Sequence, residues 1–180
     1  MSLIFYMDMV QQKYPKWKNN SRIIGKAAEK YCYDHINCLV CNSSHWYECQ
    51  TNEKSKDLIC IQCNKKYQIK CKNITQKEHT NIVKNKIFKT LGAEYKTTLN
   101  SVKQNIDYII ILYDKITYNI IDILHIDSKF IIIKDDGFCD NIIPRKPLSE
   151  KARRKGWQGC YLLFTNFSCI NCELNTTISI

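Results

Sequence analysis

Glycine and proline are nearly missing from this chain, at 5 and 3 of its 180 residues. No low-complexity linker is visible, and neither is an internal repeat or a second domain. Long hydrophobic runs are lacking too. The longest, at 108–112 and 130–133, are far too short to span a bilayer. The apolar start has no basic stretch before it and is broken by Asp8, so it reads as a first helix or strand and not as a secretory leader. The expectation is a soluble, intracellular protein with no membrane contact, cytoplasmic or, in a eukaryote, nuclear. Disulfides are rare in such compartments, so metal binding becomes the leading use for some of the 11 cysteines. Acidic residues are also short, 17 against 27 Lys and Arg. The net charge of +10 favours a polyanionic partner, nucleic acid or an anionic membrane surface.

Hydrophobic residues make up 44% of the chain, an ordinary share for a globular protein, and their spacing divides it into elements. Two helical stretches occupy the first third. The second, 21–33, has Ile23, Ile24, Ala27, Ala28 and Tyr31 near helical spacing and Ser21 as its N-cap. Residues 67–72 alternate. Tyr67, Ile69 and Cys71 share one face and Gln68, Lys70 and Lys72 the other, as in a half-buried strand. An apolar stripe of Ile82, Val83, Ile87, Phe88 and Leu91 predicts a helix over 76–91. After a loop rich in Lys, Thr and Asn, the segments 107–113, 117–125 and 129–134 read as buried strands of a mixed sheet. Ser149 can cap a short basic helix that Gly156 stops, and a last strand is expected over 160–165.

The strongest motif is Cys38-x2-Cys41, followed after 18 residues by Cys60-x2-Cys63. Each pair on a tight knuckle turn offers two thiolates, and two such knuckles complete a tetrahedral Zn(II) site. Four protein ligands leave no open position, so such an ion is structural. Four buried or incidental cysteines are the plain alternative. His45 and Cys49 in the intervening loop rank below these four as ligands. Cys169-x2-Cys172 is an isolated pair, for which a redox role, half a metal site or no role stay open. Cys32, Cys71, Cys139 and Cys160 read as small apolar residues.

Asp57 stands just before the second knuckle, with Gln68 and Lys70 just after it. The spacing Asp-x10-Gln-x-Lys is one step from the nuclease pattern Asp-x(n)-(Asp/Glu)-x-Lys. In that pattern the acidic groups hold Mg(II) against the scissile phosphate, and the lysine orients water or stabilises charge. Taken alone, the same residues also fit a solvated strand face.

A longer block carries more information. Residues 142–160 contain Arg145-Lys146-Pro147-Leu148, then Ala152-Arg153-Arg154, then Gly156-Trp157 and Gly159-Cys160. This block resembles the Arg-Lys-Pro-Leu-x3-Ala-Arg-Arg-x-Gly-Trp-x-Gly-Cys stretch of the DpnI-type restriction endonucleases, the dam-replacing family. The knuckles, Asp57 and the Gln68-Ile69-Lys70 triplet fall in register with that family from about Phe5 to about Leu163.

The resemblance implies an α/β fold of the PD-(D/E)xK restriction-endonuclease type, a mixed central sheet flanked by helices with an inserted four-cysteine zinc knuckle. Residues 1–165 would form this domain, the insertion covering about 36–64, with 166–180 as a C-terminal tail. The family's winged-helix domain has no room in 180 residues, which leaves specificity to the catalytic domain or a partner chain. The activity implied is hydrolysis of double-stranded DNA, with adenine-methylated GATC sites as the candidate target. Asp57 and Lys70 match the metal-binding aspartate and catalytic lysine, and the Ile69 carbonyl a further ligand of Mg(II) or Mn(II). Gln68 stands where the family has glutamate. That loss of charge weakens metal binding, unless Glu29 or Glu78 is recruited, or leaves the site inactive. Arg145, Lys146, Lys151, Arg153, Arg154 and Lys155 are the expected DNA contacts, with Trp157 against a base or in the core. Two other readings are a DNA-binding module without catalysis and a zinc-stabilised RNA- or protein-interaction domain on the same scaffold.

Overall fold

A computed structural model describes residues 1–49, 56–131, 133–134, 139–145, 150 and 158–170. Lys146, Lys151, Arg153, Arg154, Lys155 and Trp157, together with Cys172, lie outside the described residues.

Two helices come first, α1 (Ile4–Lys13) and α2 (Asn20–His35). Six strands then form one sheet. In spatial order they are β1 (Trp46–Glu48), β2 (Leu58–Cys60), β3 (Lys66–Asn73), β5 (Asp107–Tyr113), β6 (Ile120–Ile126) and β9 (Ser168–Cys169). The β3–β5 pair is parallel and the other pairs are antiparallel. A parallel pair needs a long crossover. It is supplied by α3 (Gln76–Asn85), β4 (Phe88–Glu94) and α4 (Tyr95–Lys103). Strand β4 joins β8 (Gly159–Phe164) and β7 (Ile142–Pro144) in a second sheet, in the order β4-β8-β7.

All seven residues of β5 are buried, which is why the six after Asp107 are an unbroken run of Tyr, Ile and Leu. Ile109, Ile111 and Tyr113 enter a core shared with α1 and α2. Tyr108, Ile110 and Leu112 enter a second core, shared with Phe88, Leu162 and Phe164 of the smaller sheet. The architecture is therefore a mixed α/β fold with a central mixed sheet flanked by helices, as the sequence implied.

Several local expectations need correction. Asn19, not Ser21, caps α2, its side chain accepting a hydrogen bond from the Ser21 N–H. The helix expected over 76–91 ends at Asn85, where Lys86 turns left-handed at φ 52°. Phe88 and Leu91 belong instead to β4, with Phe88 fully buried and Leu91 55% exposed, as alternation on a strand requires. The loop before residue 107 holds α4, fixed by the buried Thr98 and Val102. Of the strand expected over 129–134, Lys129 and Phe130 lie in a 3-10 turn, Ile133 makes an isolated bridge to Cys139, and Ile132 lies outside the described residues. The Asp127 carboxylate accepts the Lys129 N–H and closes a 3-10 turn over Ser128–Phe130. The segment taken as a tail begins as β9, which pairs with Leu124 and His125 of β6.

Two glycines give contrasting expectations. A β-carbon at Gly92 would sit 2.4 Å from the Cys160 sulfur. Gly92→Ala should therefore cost about 1–3 kcal/mol in urea unfolding, with part of the loss recovered when Cys160→Ala is added. Gly25, in the middle of α2, has no atom within 4 Å of such a β-carbon. Gly25→Ala should raise stability by about 0.5–1 kcal/mol.

Candidate functional site

The two knuckles are built alike. In each, the residue after the second cysteine is an asparagine in the left-handed region, Asn42 at φ 57° and Asn64 at φ 58°. Asparagine tolerates this conformation better than most residues. The Asn42 N–H bonds the Cys38 carbonyl at 2.7 Å and the Asn64 N–H bonds the Cys60 carbonyl at 2.8 Å. The chain then turns back, so the Cys38 N–H meets the Ser43 carbonyl and the Cys60 N–H meets the Lys65 carbonyl. This small repeat is legible as Cys-x2-Cys-Asn twice over, a signal the sequence reading passed by.

Back-to-back, the turns bring the Cys38, Cys41, Cys60 and Cys63 sulfurs within 4.8 Å of one another. Cys38 lies 3.4 Å from Cys63 and Cys41 lies 3.5 Å from Cys60, too far for disulfides. Sulfurs sharing a tetrahedral ion at about 2.3 Å would be about 3.8 Å apart, so the donor set suits a single thiophilic cation. Burial pushes the Cys38 thiol up, but hydrogen bonds from the Tyr67 hydroxyl and the backbone N–H groups of Cys41 and Val40 outweigh it and bring it to about 6. That favours the thiolate a metal needs. His45 and Cys49 are not in this group.

The cluster is tied to the central sheet. Tyr67, fully buried on β3, sets its hydroxyl 3.5 Å from the Cys38 sulfur. Its ring packs edge-on against Trp46, whose indole N–H donates to the Ile36 carbonyl at 2.8 Å. Directly after the second knuckle, Lys65 pairs with the buried Asp107 of β5 at 2.7 Å. Asp107 also bonds His125 at 2.9 Å and accepts the Ser128 N–H. Burial alone would raise its pKa, but these partners hold it below the usual carboxylate value.

One strand over, Asp57 lies just before β2, where β2 and β3 part. Its N–H still donates to the Tyr67 carbonyl. Its Oδ2 accepts two 2.6 Å hydrogen bonds, from the Gln68 side-chain amide and from the Ile69 backbone N–H. Asp57, Gln68 and Ile69 are thus brought into direct contact. Burial first, then the negative charge of Glu29, push the Asp57 carboxyl up to about 6, against these bonds and the charge of Lys70. Asp57 and Glu29 line one cleft of about 750 Å³ beneath the first turns of α2. Glu78, the other carboxylate considered, caps α3 through Thr75 and is spent there.

Lys70 follows Gln68 on the same face of β3 and lines an adjoining cavity of about 530 Å³. Ser21 borders both spaces. Arg145 anchors its N–H on the Gly159 carbonyl, and its guanidinium lies 4.9 Å from the Tyr161 ring centre, on the wall of the Lys70 cavity. Cys32, Cys139 and Cys160 are buried, Cys160 with its sulfur 3.5 Å from the Thr98 hydroxyl, while Cys71 is partly exposed. No helix among the described residues is long and apolar enough to cross a membrane.

A family model described as "DpnI: Dam-replacing family" matches residues 1–174. The chain belongs to that family.

The shift at Asp57 has a measurable consequence. Its folded value of about 6 exceeds the ordinary 3.8, so the folded protein binds the extra proton between these limits. Stability from this group therefore falls as pH rises from about 4 to about 6 and levels off above. Between pH 5 and 7 the native protein, kept free of Mg(II) and Mn(II), should lose roughly 1 kcal/mol more than Asp57→Asn in urea melts. Identical slopes for the two would remove the carboxylate as the cause.

Proposed function

We propose that this member of the Dam-replacing family is a Mg(II)- or Mn(II)-dependent endonuclease acting on double-stranded DNA, with adenine-methylated GATC sites as the candidate target, and that its four-cysteine cluster holds a structural zinc ion. The observation that carries the nuclease reading is the meeting of Asp57, Gln68 and Ile69 at the parting of two strands, with Lys70 next on the face of β3 that carries Gln68. Zinc is favoured by four sulfur donors that leave no open position.

The donors at the second site are oxygens, which suits a hard cation. The Asp57 carboxylate would hold it, together with the Gln68 amide oxygen after rotation of the amide. The Ile69 carbonyl would join them, because N–H and C=O of one strand residue leave the same edge and the Ile69 N–H already faces Asp57. A divalent cation there supplies charge neutralisation at the scissile phosphate and an acidified water. Lys70 holds that water in line or neutralises the developing phosphate charge. The neutral Gln68 removes one anion from the ligand set, and Glu29, already close enough to disfavour a charge on Asp57, restores one to the cleft. Arg145, set against the Tyr161 ring that lines the cavity, engages the DNA backbone. Lys146, Lys151, Arg153, Arg154, Lys155 and Trp157 extend that contact on the strength of the family block.

A second reading is a DNA-binding module without catalysis, favoured by one observation. Gln68 donates its amide to Asp57, satisfying the carboxylate without any metal.

Plasmid cleavage separates the two. With methylated DNA and either metal, the native protein should nick or cut, while Asp57→Asn and Lys70→Met lose at least about 100-fold, on the scale of a lost catalytic group. Gln68→Glu should raise the rate in Mg(II) and tighten metal binding. Folded, zinc-loaded protein that binds DNA but cuts under neither metal, with Gln68→Glu equally silent, would leave the binding module. The zinc assignment is checked apart from activity. Purified protein should carry one zinc per cluster, and Cys60→Ser should lose it together with native circular dichroism.

A further inference from the structure

The cavity beside Lys70 carries more positive charge than catalysis at one phosphate needs. Lys70, Lys72, Lys89, Tyr113, Tyr161 and Ser21 border it. Lys72 is half-buried, with its ammonium donating to the Lys89 carbonyl at 2.6 Å and resting over the Phe88 ring. The Lys89 ammonium lies 4.2 Å from the centre of the Tyr161 ring, which also faces the Arg145 guanidinium. The Lys72 ammonium feels the opposite charge of Glu78, which caps α3 outside the cavity lining, and the like charge of Lys89.

Two partly buried lysines elsewhere hold carboxylates. Lys26 has Glu29 and Glu48 within 2.8 Å, and Lys65 has Asp107 at 2.7 Å. Among the described residues no carboxylate comes within ion-pair distance of Lys70, Lys72 or Lys89. A concave site with clustered cations and no anion of its own is built for an anion from outside.

Spacing names the anion. Lys70 and Lys72 are two residues apart on β3, so their side chains leave the sheet about 6.7 Å apart on one face. That is close to the separation of neighbouring phosphates along a nucleic-acid strand. We propose that the cavity is a second phosphodiester subsite, in which Lys72 and Lys89 hold the DNA phosphate next to the one that Lys70 faces. Tyr161 positions Lys89 and Arg145 around it. The assignment rests on the nuclease reading for which phosphate Lys70 meets, but its test does not require cleavage.

The probe is a fluorescein-labelled DNA duplex, titrated by anisotropy in Ca(II) over a range of KCl. Lys72→Met and Lys89→Met keep side-chain length and remove charge, and their zinc content and circular dichroism are compared with native protein first. The double variant should bind several-fold more weakly at low salt. Its slope of log affinity against log salt should be shallower by about 0.9, the value of one lost phosphate contact. Lys72→Arg with Lys89→Arg should keep the native slope. Lys129→Met, an exposed lysine paired with Asp127, should also keep it. A folded double methionine variant with native affinity and slope overturns the subsite and leaves the nuclease reading standing. Native protein that binds no duplex overturns both. Tighter binding to an RNA duplex, with the same loss of slope, overturns the assignment to DNA.

Discussion

Everything at the candidate site hangs on the four-cysteine cluster, because the strands it joins are too short to hold themselves. β1 and β2 have three residues each, and β2 meets β3 at only two register positions, Leu58 with Tyr67 and Ile59 with Lys66. A hairpin that small is marginal in water. Cys60 ends β2, Cys63 precedes β3, and the other two sulfurs come from the turn after α2. An ion held by all four sulfurs would fasten helix, hairpin and sheet at one point. The Tyr67 hydroxyl carries that fastening to the residue beside Gln68. Asp57 thus owes its position to side chains that never approach it.

Two carboxylates on either side of β3, Asp57 before β2 and Asp107 on β5, show how surroundings decide whether a buried acid favours its charge. Asp107 is buried with Lys65, His125 and the Ser128 N–H, and every partner favours its charge. At Asp57 burial and a neighbouring acid, Glu29, outweigh one backbone N–H, the charge of Lys70 and a neutral amide, and its charge is disfavoured. The first is a satisfied ion pair that locks β5 to the knuckle. The second is held in a state that an added cation would relieve, as is common at functional sites. The burial is similar in kind, and the partners decide the sign.

Legibility in the sequence followed the range of the interactions. The cysteine cluster was readable because tetrahedral thiolate ligation dictates spacing within a few residues. The contact between Asp57 and the 68–70 triplet was readable because it needs only one hairpin. β5 announced itself as a run of apolar residues because both its faces are covered. The 76–91 segment misled because Ile82, Val83, Ile87, Phe88 and Leu91 satisfy a helical period by coincidence, while the left-handed Lys86 that breaks it carries no strong signal in a lysine-rich stretch. α4 escaped because its inward stripe of Tyr95, Thr98, Leu99 and Val102 includes a polar threonine and sits in a stretch of Lys, Thr and Asn that reads as loop. The pairing of Lys72 with the Lys89 carbonyl was out of reach altogether, since it depends on a crossover folding one sheet against another.

That crossover also dictates a sequence of assembly. The cysteine hairpin, its helix and the start of the central sheet are complete by the end of β3, at Asn73. The smaller sheet cannot close so early. β8 is its middle strand and β4 and β7 bond only to it, yet β8 is the last of the three to leave a ribosome. Until residue 164 emerges, Phe88, Ile142 and one whole face of β5 lack their cover. A nascent chain therefore has its candidate catalytic strand in hand long before the wall that bounds it, and the interval leaves apolar surface open to aggregation or to chaperones.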